Sequence, residues 1–214
     1  MKSSENNLIN LQNDFFKNGW CWLNPDSINI TKKIRKELKK ISTKDRIKNK
    51  KNAGSLSLDQ NSIKNYKVFQ ELENNKLMYE TISNITGRYI TLSCFMHMLS
   101  IGETKELSWH RDSYIRKNKF IGPIPSVIKL IIFNTKVNKK DGPFELISGS
   151  HSLDLSNKFF DKLLPLFLFT KKISFQCQYD SCLLFDGRLL HKRASSYKNG
   201  FRSATIISFS STYT

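Results

Sequence analysis

A helical layer packed against a β-sandwich or barrel is the fold class that the sequence predicts, and three observations predict it. Nearly all of the helix-like periodicity in the 214-residue chain lies before residue 88, while the β-branched and aromatic bias of strands takes over from Tyr89. Hydrophobic content of 39% and aromatic content of 12% supply enough apolar material for a core that needs no disulfide support. Helices first and strands afterwards is the order of a segregated layer architecture. At this length one domain over residues 1–214 is expected, with a helical part at 1–87 and a strand-rich core at 88–214.

Residues 8–18 carry Leu8, Leu11, Phe15 and Phe16 at near-helical spacing and stop at Gly19, so they read as a helix. Residues 20–23 form a short buried strand. Asn24, Pro25, Asp26 and Ser27 supply turn and cap chemistry, after which Ile28, Ile30, Ile34, Leu38 and Ile41 trace an apolar stripe through lysines. Residues 42–65 are polar, basic and without sustained period, which predicts a loop that could serve as a lid. Residues 66–85 read as one broken helix or two short ones ending at Gly87, with Val68, Phe69, Leu72, Met78 and Ile82 in the apolar set. Strands are predicted at 89–99, 127–133, 144–147, 173–177, 182–185 and 205–209, and residues 152–168 read as an insertion interrupted at Pro165. There is no internal repeat.

The net charge of +17 is unevenly spread: residues 31–51 hold eleven Lys and Arg against Glu37 and Asp45. The segment reads as a solvated helix face and loop, or as a guide for an anionic partner. Cys21, Cys94, Cys177 and Cys182 show no Cys-x-x-Cys pairing, which predicts reduced, buried thiols and no structural zinc site. The start of the chain lacks an apolar leader and no apolar run approaches a membrane span, so a soluble, cytoplasmic protein is expected. A phosphate-binding glycine loop, a serine elbow and a Cys-His nucleophile pattern are absent.

Chemistry concentrates in Ser108-Trp109-His110-Arg111-Asp112 and in the later His191 and Arg202. On an extended segment residues i and i+2 share a side, so His110 and Asp112 can close on one metal while Arg111 points away. Two imidazoles and one carboxylate suit an iron(II) ion that must keep positions open for co-substrate and oxygen, with His191 as the third ligand. Arg202, on the strand after His191, offers a planar fork for a carboxylate.

His110-x-Asp112, the block Asp141-Gly142-Pro143-Phe144-Glu145-Leu146-Ile147-Ser148-Gly149-Ser150-His151 and the His191 to Gly200-Phe201-Arg202 block together resemble the phytanoyl-CoA dioxygenase-like (PhyH) family of iron(II)- and 2-oxoglutarate-dependent oxygenases. The arginine eleven positions past the distal histidine is that family's spacing, and the resemblance covers roughly residues 89–209. It implies a double-stranded β-helix, a jelly-roll barrel of eight strands, with the N-terminal helices packed on one face. It implies His110, Asp112 and His191 as iron(II) ligands, 2-oxoglutarate and dioxygen as co-substrates, and Arg202 on the distal carboxylate of 2-oxoglutarate. Met98 and Phe133 correspond to co-substrate-lining positions, or serve simply as core. Ser195 or Ser203 could assist Arg202, since the serine that the family places two past the distal histidine is here Arg193. Asp112, present where resembling halogenases carry a small residue, favours hydroxylation. His97 and His151 are read as packed, hydrogen-bonded or architectural residues.

Arg111, Tyr114, Arg116, Arg188, Lys192 and Arg193 neighbour the ligand positions in sequence, so the pocket mouth is expected to be cationic and the substrate a small, anionic organic molecule, hydroxylated with release of succinate and carbon dioxide. Two other readings stand. One is a nucleic-acid-directed oxygenase, prompted by the charge, although the further arginine of such enzymes is here Tyr197. The other is a non-catalytic, cupin-like binding barrel. Substrate specificity is expected to sit in loops 42–65 and 116–125.

Overall fold

Helix α1 (Lys2–Asn18) ends at Gly19 and feeds strand β1 (Trp20–Leu23) in the computed structural model, which describes residues 2–48, 54–58, 63–113, 126–153, 158–167 and 170–213. A 3₁₀ turn at Pro25–Ile28 follows, with the Asn24 side chain accepting from the Asp26 amide. Helix α2 (Lys32–Lys48) then buries Ile34, Leu38 and Ile41 beneath its lysines. Two short helices, α3 (Lys67–Glu73) and α4 (Lys76–Thr86), complete the N-terminal layer, the second capped by Asn75 at one end and Gly87 at the other.

The predicted basic loop at 42–65 is corrected here. Its first seven residues finish α2, because the buried series of Ile34, Leu38 and Ile41 continues through Ser42 and Asp45, and the Ser42 hydroxyl returns to Leu38 O at 2.8 Å. Farther on, strand β2 (Gly54–Ser57) pairs with the next strand. Residues 49–53 and 59–62 of that stretch lie outside the described residues.

The strand-rich part comprises β3 (Arg88–Ile101), β4 (Ser126–Phe133), β5 (Phe144–Ile147), β6 (Lys172–Phe175), β7 (Cys182–Asp186), β8 (His191–Arg193) and β9 (Phe201–Tyr213), with helix α5 (Lys158–Leu163) between β5 and β6. They pair as a six-stranded antiparallel sheet, β1-β7-β4-β9-β3-β2, and a three-stranded one, β6-β5-β8. Residues 107–110 extend the small sheet, since Leu107 N donates to Arg193 O at 2.9 Å and His110 bridges His191. This is the two-sheet arrangement of a double-stranded β-helix, but among the described residues the hydrogen bonding does not close into a barrel: the strands form two separate sheets. β9 is longer than its apolar segment predicts. Its serines and threonines hide the strand from a hydropathy reading, yet it pairs with β3 from Phe201↔Ile101 to Tyr213↔Arg88.

The large sheet has two working faces. Ile128, Leu130, Ile132, Leu184, Ile207 and Phe209 pack outward against the helices. Ile131, Phe133, Leu183, Phe185 and Ala204 pack inward with Phe144, Leu146 and Phe175 of the small sheet. Period-two alternation produces both cores from the same strands. A buried polar group ties the helical layer to this sheet: Ser42 Oγ lies 2.7 Å from Ser203 Oγ and 3.3 Å from His97 Nε2, and His97 Nδ1 lies 3.0 Å from Thr205 Oγ1. Burial pushes His97 down to about 4, so it stays neutral and serves as a packed hydrogen-bonding group.

At the end of β7 the Asp186 carboxylate, fully buried, receives Arg88 Nη2 at 2.9 Å, Arg188 Nη2 at 2.6 Å, and the Arg188 amide and Nε both at 2.9 Å. Burial opposes its ionisation, but the Arg188 hydrogen bonds and the charges of Arg188 and Arg88 outweigh it and hold the carboxyl below its ordinary value. A carboxyl depressed in the folded state contributes stability that is fully present above its unfolded pKa of about 4 and is lost as pH falls through the folded value. Asp186→Asn is therefore expected to lower unfolding free energy by about 3–5 kcal/mol near neutral pH, as measured by urea denaturation. The gap between wild type and variant should narrow as pH drops below about 4; a gap independent of pH would show that the charge of Asp186 is not what stabilises the fold.

Candidate metal centre

The turn after β7 builds the site. Asp112 N and Ser113 N both donate to Gly187 O, at 2.8 and 3.2 Å, which fixes the carboxylate-bearing segment on the turn that Asp186 holds. Gly187 has to be a glycine for this approach, because a Cβ there would lie 2.8 Å from Val127 O and 3.2 Å from Asp112 Cβ. His110 and His191 exchange both backbone hydrogen bonds, at 3.0 and 2.9 Å, and their rings lie 4.4 Å apart. Phe185 and Phe144 pack against His191 at 5.1 and 5.4 Å between centroids.

The tautomers follow from the partners. His110 Nδ1 lies 2.8 Å from Ser108 O and His191 Nδ1 lies 2.8 Å from Leu189 O. A carbonyl only accepts, so each Nδ1 carries a proton and Nε2 is the nitrogen that each ring has left to offer a metal. His110, Asp112 and His191 thereby offer one ligand atom each, all within 4.8 Å of one another. His191 Nε2 and Asp112 Oδ2 face each other at 3.2 Å, two acceptors that need a proton or a cation between them. Two imidazoles and a carboxylate on one side of a centre fit a divalent metal such as iron(II) that keeps other positions open.

Electrostatics support the same fit. Burial first, and then the neighbouring His191, lower the His110 pKa, which favours the neutral ligand form. Burial opposes ionisation of Asp112, whose side chain is 20% exposed, but contact with His191 and the Lys129 ammonium outweigh it and hold the carboxyl well below its ordinary value. Lys129 Nζ sits 2.8 Å from Asp112 Oδ2 and supplies a cation that a metal would have to displace. Sequence reading missed Lys129. Its signal was there, a single lysine inside the apolar run of β4.

His110 and His191, together with the Lys129 that pairs with Asp112, line a cavity of about 220 Å³ between the two sheets. From the large sheet Met96, Met98, Ile131, Phe133, Ala204 and Ile206 line it, and from the small sheet Phe144, His191 and Arg193. Arg202 is buried in the same wall, with Nη1 donating to Gly142 O at 2.9 Å. Burial, followed by the charge of nearby Arg193, brings the Arg202 guanidinium down to about 10, still cationic near neutrality. Two larger clefts, about 690 and 430 Å³, lie among helix and edge residues away from the three converging side chains.

Several expected site residues are placed elsewhere. Ser203 follows Arg202 and points to the opposite face of β9, where it meets Ser42 and Asn134, so it cannot assist Arg202. Ser195 is exposed and does not line the cavity. Arg111 does not rim the mouth: its Nε donates to Asp161 Oδ1 at 2.8 Å and its Nη1 to Ser150 O at 2.7 Å and to Arg188 O. Arg188 is held by Asp186. Lys192 does line the cavity, but it is paired with Glu106 and, at 3.6 Å, with Glu145. Tyr114 and Arg116 lie outside the described residues.

Comparison with known proteins agrees with this picture. Among curated proteins no sequence matches the chain. Among solved structures, EctD from S. alaskensis with bound iron superposes with a TM-score of 0.67 at 13% identity, covering 94% of this chain and 75% of that one. The epimerase SnoN in complex with Fe3+, α-ketoglutarate and nogalamycin RO gives 0.69 at 10% identity, covering 98% and 86%. HygX from Streptomyces hygroscopicus, with nickel, 2-oxoglutarate and hygromycin B bound, gives 0.65 at 12% identity, covering 92% and 84%. At such identities these likenesses speak for the fold. The phytanoyl-CoA dioxygenase (PhyH) family model, in turn, matches residues 24–196, from the turn after β1 to the bridge between Ser196 and Asp141, and the chain belongs to that family.

Proposed function

We propose that the protein is an iron(II)- and 2-oxoglutarate-dependent oxygenase that hydroxylates a small organic substrate, with His110, Asp112 and His191 holding the iron. The observation that carries the reading is the convergence of two Nε2 lone pairs and one carboxylate at a cavity whose wall contains the buried Arg202 guanidinium. Iron(II) at that position, with 2-oxoglutarate and dioxygen, supplies oxidation of an unactivated C–H bond, the 2-oxoglutarate leaving as succinate and carbon dioxide.

The chain's own residues do the rest. Nδ1–H bonds to Ser108 O and Leu189 O fix the ring planes and direct Nε2 of each ring to the metal. Asp112 brings one negative charge to a divalent ion. Arg202 receives the distal carboxylate of 2-oxoglutarate through its fork. Met96, Met98, Phe133 and Ile206 make one wall of the cavity apolar, a surface for the hydrocarbon part of a small molecule.

Anaerobic addition of iron(II) and then 2-oxoglutarate should produce the visible charge-transfer band of the chelate. His110→Ala should abolish that band, and Arg202→Ala should require about 10- to 100-fold more 2-oxoglutarate for the same signal, the effect of one lost charge-assisted contact. A wild-type protein that gives no band refutes the assignment. Lys129 both occupies Asp112 and repels a divalent cation, so Lys129→Met should tighten metal binding by about tenfold or more in a chelator competition assay. Weaker binding by the variant would show that the lysine assembles the centre and does not compete with the metal.

A further inference from the structure

Arg193 lies two residues past His191 on β8, so it faces the cavity on the same side as that imidazole. Its Nη1 donates to Ser100 Oγ at 3.0 Å and Thr104 Oγ1 at 2.6 Å, and its Nη2 donates to Lys105 O at 2.8 Å. Ser100 is the register partner of Arg202 across β3 and β9, and antiparallel partners share a face. The Arg193 head is thus anchored beside the root of Arg202. Of the five N–H donors of a guanidinium, these contacts use three, and the buried Nε–H has no hydrogen-bond partner.

Charge gives the second line of argument. Four cations line the cavity. Lys129 is paired with Asp112, and Lys192 with Glu106 and Glu145. Arg193 and Arg202, 6% and 7% exposed, have no ion pair among the described residues. Two buried like charges side by side are unfavourable until an anion joins them.

We propose that Arg193 is a second carboxylate-binding residue of the co-substrate pocket, so that the distal carboxylate of 2-oxoglutarate is received by two guanidinium groups, Arg202 and Arg193. The proposal rests on the oxygenase reading above and goes beyond it. Position 193 is where the resembling family carries a serine, so the second cation is this chain's own departure. It makes the pocket selective for 2-oxo acids with a second carboxylate.

The test is calorimetric titration of nickel(II)-loaded protein, which binds without turning over, with 2-oxoglutarate and with 2-oxopentanoate, the chain of equal length that ends in a methyl group. Wild type should prefer 2-oxoglutarate. Arg193→Gln should weaken 2-oxoglutarate by about 10- to 100-fold and leave 2-oxopentanoate nearly unchanged. Arg193→Lys, which keeps stem and charge but loses the fork, should fall between the two and carries the same comparison if the glutamine variant does not fold. A variant that weakens both acids equally acts only through Ser100 and Thr104, and that result, like no change in either, overturns the proposal. Wild-type protein that binds nickel(II) but neither acid overturns the oxygenase reading itself, and the proposal falls with it.

Discussion

One carboxylate, Asp186, holds together elements that are far apart in the chain. It fastens Arg88 at the start of β3 to the turn after β7, and that turn delivers Gly187 O to the Asp112 backbone and leads directly into His191. A buried ion pair is a weak source of net stability compared with apolar packing, yet removing one partner is strongly unfavourable. The arrangement makes sense as a fixed geometry. Two of the three converging ligands hang from a turn whose conformation is set by a charge that has nowhere else to go.

The centre itself is an electrostatic problem solved in part by the chain. Two acceptor nitrogens and a carboxylate crowd together, and Lys129 lends a positive charge from the neighbouring strand. Farther into the cavity the imbalance reverses, with Arg193 and Arg202 adjacent and no acidic side chain in the lining among the described residues. The site is short of cation at one end and short of anion at the other. A metal ion chelated by a dicarboxylic oxo acid would correct both deficits at once.

Much of this was legible in sequence, and the failures have physical causes. His110, Asp112, His191 and Arg202 stood out because their spacings match backbone periodicity and a known family pattern. The strands from 126 to 186 were read from β-branched and apolar runs, with ends within a residue or two. Residues 42–48 read as loop because the segment is polar, basic and without sustained period, whereas Ser42 is buried in a hydroxyl and imidazole cluster that only the folded chain brings together. Ser203 looked like a helper for Arg202 by proximity alone, and strand alternation sends it to the other side. Lys129 and Asp186 gave no motif; each is a lone charge beside or within apolar residues, and its meaning lies in a partner distant in sequence, Asp112 for one and Arg88 for the other.

β9 is a partition shared by two compartments. Arg202, Ala204 and Ile206 look into the cavity, while Ser203 and Thr205 look toward Ser42, His97 and Asn134. Because β9 is pinned to β3 over its whole length, the pairing acts as a counter: a slip of one residue in its register would present the serine face to the pocket and thrust a guanidinium among neutral hydroxyls under the helices. A slip of two would restore the facing but carry the arginine about 7 Å along the strand. The connection that leads into β9 is itself fastened, by the buried Ser196 hydroxyl on Gly102 O and by Gly200, where a Cβ would lie 2.5 Å from Lys140 O, so the strand enters its register from a fixed point.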